Sequence, residues 1–155
     1  MQFETIRLDI TANAALEAIG NAGAAAFGHR SELTVDRQLA QLLRLRVAQI
    51  NNCPYCLDVH SAAARRVEVP QAKIDCLSAW WETRLFSDAE QAALAYAEAL
   101  TRASDTTVAQ RFQQYHDRLT AHFDPAAMLE IVGVVVNMNV WTRLKLAEGA
   151  MPSLG

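Results

Sequence analysis

Residues 39–60 read LAQLLRLRVAQINNCPYCLDVH, and this stretch decides the fold class. Leu39, Leu42, Leu43 and Ile50 lie near one face, which is typical of an amphipathic helix. Pro54 suits the first position of a second helix, because the N–H that proline lacks is not needed there. Cys53 is then expected at the N-cap of this helix and Cys56 in its first turn. Helices on both sides of the cysteines indicate an all-α fold.

The composition of the whole chain also favours helices. Alanine occurs 28 times among 155 residues, and proline occurs only at positions 54, 70, 125 and 152. Alanine has the best helix propensity and proline the worst, and runs that alternate apolar with polar residues are hard to find. We predict one domain over residues 1–155, with a core of about 36–148 and six to seven helices. The segments expected to be helical are residues 11–28, 35–51, 54–66, 70–80, 87–100, 108–122 and 125–149, with Thr11 capping the first and a Ser87–Glu90 capping box opening the fifth.

The last of these helices is apolar nearly all the way round. From Met128 to Val140 the pattern is interrupted chiefly by Glu130, Asn137 and Asn139. Such a helix is buried on most sides, either at the centre of a domain or at a contact with another subunit. An oligomer is therefore expected.

Charge, hydropathy and cysteine count exclude several classes of protein. The net charge is −3, so no basic face for nucleic acid is expected. No secretory pattern opens the chain, and the longest apolar run, residues 131–136, is far shorter than the roughly 20 residues that span a membrane. Three cysteines are too few for a disulfide scaffold. We expect a cytoplasmic protein that binds neither nucleic acid nor membrane.

The pair Cys53 and Cys56 is the candidate site. At a helix N-terminus, unpaired N–H groups and the helix dipole stabilise a thiolate, and a spacing of three brings the two Cα atoms to about 5 Å, within disulfide range. His60 follows Cys56 by four residues, so their side chains are neighbours on one face, whereas Cys53 is seven residues away. This spacing predicts Cys56 as the reactive thiolate, Cys53 as the resolving thiol and His60 as base or cationic partner.

Three other interpretations of the cysteines are open. They can be merely buried apolar residues, or they can bind structural zinc with His60 and Cys76, although the usual second pair of closely spaced ligands is missing. Cys-Pro-Tyr-Cys is also the glutaredoxin motif, but that motif follows a strand, and here residues 39–51 form a predicted helix. We expect no metal and no cofactor.

Several segments together resemble the AhpD-like, or carboxymuconolactone decarboxylase, family. The resemblance rests on residues 45–53 leading into Cys56 and His60, and extends through residues 92–101 and 139–144. It implies an all-α fold, homo-oligomers that are often trimers or hexamers, and thiol-dependent reduction of hydroperoxides. True carboxymuconolactone decarboxylases generally lack the paired cysteines, so the resemblance disfavours that reaction.

The resemblance also implies roles for individual residues. The cysteine matching Cys56 becomes a sulfenic acid, the one matching Cys53 resolves it, and the histidine matching His60 belongs to a proton relay. The family's relay glutamate, twelve residues before the first cysteine, is replaced here by Gln41, which cannot accept a proton as a carboxylate does. Asp58 is expected to point away from Cys56.

The remaining candidates are interpreted as structural. Cys76 is expected to be a buried filler residue, Tyr55 to pack, and the isolated histidines, His29, His116 and His122, to be surface or capping residues. We therefore expect a thiol peroxidase that takes a hydroperoxide and is reduced by an external dithiol or redox protein. The alternatives are a disulfide reductase or adaptor for a peroxiredoxin and a non-enzymatic, zinc-stabilised helical module.

Overall fold

The computed structural model describes residues 6–153, and its regular structure there is entirely helical. Two short 3-10 segments, Ile10–Ala12 and Leu77–Glu82, accompany eight α-helices. These are α1 (Ala14–Phe27), α2 (Arg37–Ile50), α3 (Pro54–Arg66), α4 (Gln71–Cys76), α5 (Asp88–Thr101), α6 (Thr106–Ala109), α7 (Phe112–Thr120) and α8 (Pro125–Glu148). The all-α prediction is confirmed, with more helices than the six or seven expected.

The additional helix arises because the predicted helix over residues 108–122 is divided in two. The Asp105 carboxylate accepts a hydrogen bond from the Thr107 N–H and so begins a separate turn, α6. Arg111 then leaves helical geometry, with φ −107° and ψ 8°, before α7 begins. Neither glycine nor proline marks this break, so the sequence pattern did not indicate it.

The start of α1 also differs from the prediction that Thr11 caps it. The Thr11 hydroxyl donates to the Asp9 carboxylate at 2.6 Å, inside the preceding 3-10 segment. Asn13 is the N-cap instead, and its side-chain oxygen accepts from the backbone N–H groups of Ala15 and Leu16. The N-cap of α1 therefore lies two residues after the predicted cap, and the helix begins at Ala14.

The predicted ends of α5 and α8 are confirmed. Ser87 and Glu90 form the expected capping box, each side chain bonding the other residue's backbone N–H. Asp124 caps α8 ahead of Pro125. Gly149 ends this helix with φ 74°, a left-handed conformation that costs glycine little because it has no Cβ.

The central helix is α2, in which every residue from Leu39 to Ala48 is buried. It packs against α3, α5 and α8, while α1, which precedes the expected core, lies along α8. A buried ion pair joins α2 to α5, since Arg46 Nε lies 2.6 Å from Glu98 Oε1. Trp80 donates to the same oxygen at 2.8 Å. The indole of Trp80 thereby connects the 3-10 segment Leu77–Glu82 to this ion pair. Because that segment follows directly on α4, the helix predicted over residues 70–80 ends early, at Cys76.

Helix α8 is the most apolar element. Its length and its mean hydropathy of 1.3 would allow it to cross a membrane, but the core helix of a soluble protein can be equally long and apolar. It contacts α1, α2, α3, α5 and α7, and this packing accounts for its apolar inner side. Its outer side keeps Leu129 70% and Val136 52% exposed. Within one chain, α8 is therefore buried on its inner side but not on its outer side.

Candidate active site

The corner between α2 and α3 is anchored to α8. The Asn51 side-chain N–H₂ donates to Asn139 Oδ1 and to Thr142 Oγ1, both at 3.0 Å. The next residue, Asn52, has φ 52°, a left-handed conformation that asparagine tolerates better than most residues. The chain therefore reverses direction just before Cys53, and α8 sets where α3 begins.

The two cysteines take the predicted positions on α3. Cys53 is the N-cap, its Sγ accepts from the Cys56 N–H at 3.3 Å, and Pro54 occupies the first turn. The Cα atoms of Cys53 and Cys56 are 5.3 Å apart, and the two sulfurs form a disulfide. The expected proximity of the pair is confirmed.

A cavity of about 180 Å³ lies over one member of the pair. Its lining residues come from α1, α3, α8 and the loop after α1, and they are Ala24, Gly28, His29, Tyr55, Cys56, Val59, His60, Asn137, Met138, Trp141 and Lys145. Cys56 faces this cavity together with His60, whereas Cys53 is not in its wall. The four-residue spacing thus places Cys56 and His60 at one cavity, and the cavity distinguishes the two sulfurs.

His60 is a buried, neutral imidazole. Its side chain is in the core, and Nδ1 has no hydrogen-bond partner among the described residues. Burial lowers the pKa of His60 to about 3, and the positive charge of Arg44 and the neighbouring His29 contribute in the same direction. In the disulfide form His60 is therefore uncharged at neutral pH, so of the two predicted roles this form favours base over cation. A thiolate on Cys56 would favour its protonation.

His29 belongs to the same site, which the sequence analysis missed. Its ring centroid is 5.8 Å from that of His60, with the rings nearly perpendicular, and it lines the cavity. The expectation that His29 is only a surface or capping residue is wrong. It follows the end of α1, and no local spacing relates it to α3. Only the packing of α1 on the other helices brings it to Cys56.

Lys145 is a second cavity residue without a sequence signal. Its Nζ lies 5.0 Å from the Tyr55 ring centroid and pairs with Glu148 at 2.6 Å. Lys145 and Cys56 line the same cavity, and the charge of the Lys145 ammonium is balanced by Glu148. Tyr55 packs under this ammonium, in agreement with its expected packing role.

Gln41 lies outside the wall of this cavity and contacts the loop that carries His29. It is buried on α2, and its Nε2 donates to the backbone oxygen of His29 at 3.4 Å. Gln41 does not line the cavity that Cys56 faces, and its Oε1 has no partner among the described residues. Its visible contact is with the loop that carries His29.

Among residues 6–153, no carboxylate lies in the wall of the cavity that Cys56 faces. Asp58, on α3, accepts from the N–H and hydroxyl of Ser153, at 3.1 and 2.8 Å. The hydrogen bonds from the Ser153 hydroxyl and N–H lower the pKa of Asp58. Asp58 therefore points away from Cys56, as expected.

A zinc-binding arrangement is not found within residues 6–153. No group of three or more His, Cys, Asp or Glu side chains there could hold a metal ion. Cys76 is a free, half-buried cysteine rather than a fully buried filler. The ligand set suggested for the zinc-stabilised module does not come together in the described structure.

Sequence comparison relates the chain to known proteins. The model of the carboxymuconolactone decarboxylase family matches residues 12–99. The uncharacterized protein YdfG of Bacillus subtilis is 31% identical over 121 residues, which are 78% of this chain and 80% of YdfG. Identity of this extent over most of both chains indicates common descent.

Solved structures share the fold. A protein of unknown function from Agrobacterium tumefaciens, thought to be the antioxidant defence protein AhpD, superposes with a TM-score of 0.81 at 21% identity, over 97% of this chain and 99% of its own. The debrominase Bmp8 gives 0.74 at 19% identity, over 94% of this chain and 75% of its own. These likenesses concern the fold alone. Because the family model matches more than half of its residues, the chain belongs to the carboxymuconolactone decarboxylase family, and its helical architecture is the AhpD-like fold.

Proposed function

We propose that this protein is a thiol peroxidase that reduces hydroperoxides with Cys53 and Cys56. The observation that carries the proposal is the placement of the two sulfurs. Cys56 faces a cavity of about 180 Å³, and Cys53 lies outside its wall with a Cα 5.3 Å from that of Cys56. A substrate in the cavity would meet Cys56 first, and the resolving sulfur would already be in place.

The proposed reaction has three balanced steps. The Cys56 thiolate attacks the outer oxygen of a hydroperoxide, the O–O bond breaks, and the alkoxide leaves as the alcohol after taking up a proton. Cys56 is then a sulfenic acid, and the Cys53 thiol condenses with it to give the disulfide and water. An external dithiol reduces this disulfide by thiol–disulfide exchange and is itself oxidised.

His60 is the proposed base for the Cys56 thiol. The imidazole is uncharged in the disulfide form and lies in the same cavity wall as Cys56, so it is placed to accept the thiol proton once the disulfide is reduced. Transfer of the thiol proton to His60 creates a thiolate and an imidazolium that attract each other in a buried site. His60 can return this proton to the departing alkoxide.

The absence of a carboxylate from the cavity wall sets the expected efficiency. A positioned acid–base group contributes about 10²–10⁴-fold to a rate. Gln41 cannot take a proton, and we propose that it holds the loop of His29. We expect a slower peroxidase than relatives that have glutamate at this position.

Peroxide titration of single cysteine variants, followed by mass spectrometry, tests the proposal. We expect Cys56→Ser to stop peroxide consumption, and Cys53→Ser to accumulate a sulfenic acid that dimedone traps. Cys76→Ser is the matched control and should retain the parent rate, because Cys76 lies outside the cavity wall. Continued turnover by Cys56→Ser would refute the assignment.

The same preparation separates peroxide reduction from the alternative, disulfide reduction for a peroxiredoxin. Both sulfurs are nearly buried, with Cys53 1% and Cys56 3% exposed, which favours a small substrate over a protein disulfide. We expect faster reaction with cumene hydroperoxide than with an oxidised peroxiredoxin. The opposite order of rates would favour the adaptor function. Because the debrominase Bmp8 shares the fold, the fold does not by itself select the substrate.

We also propose that the protein is a cytoplasmic homo-oligomer, as a trimer or hexamer. The outer side of α8 carries a stripe with helical spacing, formed by Leu129, Val132, Val136 and Val140. Two of these side chains are more than half exposed, and a second copy of the chain would cover them. The cytoplasm agrees with thiols that must be reduced again after each turnover.

A further inference from the structure

A second cavity, of about 420 Å³, lies against His29. It is bounded by α2 and by the loop between α1 and α2, and it shares His29 with the cavity that Cys56 faces. Arg44, on α2, lines it and is only 2% exposed. A buried guanidinium is stable only if anions or hydrogen-bond acceptors nearby balance its charge.

No protein anion balances Arg44 within the described residues. Its Nε and Nη2 donate to the backbone oxygen of Phe27, at 3.2 and 2.9 Å. A guanidinium has five N–H groups, so three remain without an acceptor in the described chain. No carboxylate there lies within ion-pair distance of Arg44. Burial of an unpaired cation is costly, and the group binds an anion strongly if one can reach it.

The surroundings of Arg44 increase the positive charge. Arg30 and Arg37 line the same cavity and are exposed. Glu32 is the single acidic residue in its wall among residues 6–153. Burial lowers the pKa of His29, followed by the charges of Arg30, Arg44 and Arg66. Burial also lowers the pKa of Arg44 to about 10, which leaves it charged at neutral pH. The cavity is therefore positive at neutral pH.

We propose that this cavity binds the oxyanion group, a carboxylate or a phosphate, of a small molecule. The remaining N–H groups of Arg44 bind the oxyanion deep in the cavity, and Arg30 and Arg37 attract it at the mouth. The volume is ample for one ring, because a cavity of about 150 Å³ already holds benzene. The proposal concerns binding and is independent of the peroxidase reaction.

Three probes with the same ring test the proposal on the complete, disulfide-bonded protein. Benzoate carries a carboxylate, phenyl phosphate a phosphate, and benzamide no charge. We expect at least one of the two acids to bind saturably in calorimetry and at least tenfold more tightly than benzamide. The tighter acid identifies the preferred oxyanion. Neither acid exceeding benzamide would overturn the proposal.

NMR locates the bound acid, because an anion near Arg44 offsets the positive field at His29. We therefore expect benzoate or phenyl phosphate to raise the pKa of His29. The charges of Arg30, Arg44 and Arg66 lower this pKa in the unliganded protein, and the ring of His60 contacts His29. The exposed His122 serves as the reference signal and should not move. Binding without a change at His29 would place the acid elsewhere and would refute the site.

Two variants test Arg44 itself. Arg44→Gln removes the charge and should weaken acid binding at least tenfold. Gln41→Glu is the second variant, for the case in which Arg44→Gln fails to fold. It places a carboxylate one helical turn from Arg44 in the same cavity wall, so it should compete with the acid and weaken binding. Arg84→Gln, at an exposed position outside the cavity, is the control and should bind as the parent does. Unchanged affinity in either folded cavity variant would refute the role of Arg44.

Discussion

Acid should destabilise this protein through one residue, His60. Its pKa is about 3 in the folded, disulfide-bonded chain, against an ordinary value of about 6.5 in the unfolded chain. At a pH between these two pKa values, His60 is protonated in the unfolded chain and unprotonated in the folded chain. Stability contributed by His60 is therefore complete at neutral pH and falls as the pH drops below 6.5.

The size of this effect follows from the pKa difference. Each pH unit between the two values is worth about 1.4 kcal/mol, so a change from pH 7 to pH 5 removes about 2 kcal/mol. His60→Gln has no group that titrates in this range and should lose that much less stability over the same change. Other titrating groups contribute alike to both proteins and cancel in the comparison.

Urea unfolding of the disulfide-bonded protein at both pH values, at equal protein concentration, measures the difference. His122→Gln makes the same substitution at an exposed position and is the control variant. If His60→Gln loses as much stability as the parent between pH 7 and pH 5, His60 is not a buried neutral imidazole and the reasoning is wrong.

Two further predictions concern packing and assembly. Glu98→Gln should cost about 2 kcal/mol in urea unfolding, because Glu98 balances the buried Arg46 and accepts from Trp80. Glu148→Gln, in the within-helix pair with Lys145, should cost only about 0.5 kcal/mol, and equal losses would contradict a special role for Glu98. Val136→Glu should lower the mass measured by light scattering to that of one chain, because it charges the exposed stripe of α8. Leu85→Glu, outside α8, should leave the mass unchanged, and a parent that is already monomeric would refute the oligomer.

Local order in the sequence was enough to predict the fold class and the reactive pair. Pro54 begins α3, and the three-residue spacing puts the Cα atoms of Cys53 and Cys56 at disulfide distance whatever the rest of the chain does. The four-residue spacing likewise places His60 beside Cys56. Helix geometry fixes these relations within one or two turns, so they can be derived from residue numbers.

Two other local features could not be predicted from the sequence. Thr11 and Asn13 are both good caps, and the hydrogen bond from Thr11 to Asp9 decided between them. The break between α6 and α7 has no glycine or proline to mark it. In both places the choice depends on interactions of about 1 kcal/mol, which composition and periodicity do not resolve.

The sequence by itself therefore determined an all-helical chain with Cys53, Cys56 and His60 together at the start of one helix. The tertiary structure alone decided which sulfur faces a cavity and brought His29 and Lys145 to it. It also buried Arg44 with no ion-pair partner among residues 6–153. Periodicity relates residues within a helix, whereas these residues lie on α1, α2, α3 and α8 or the loop between the first two. Their distances depend on how those helices pack, and no spacing along the chain encodes that packing.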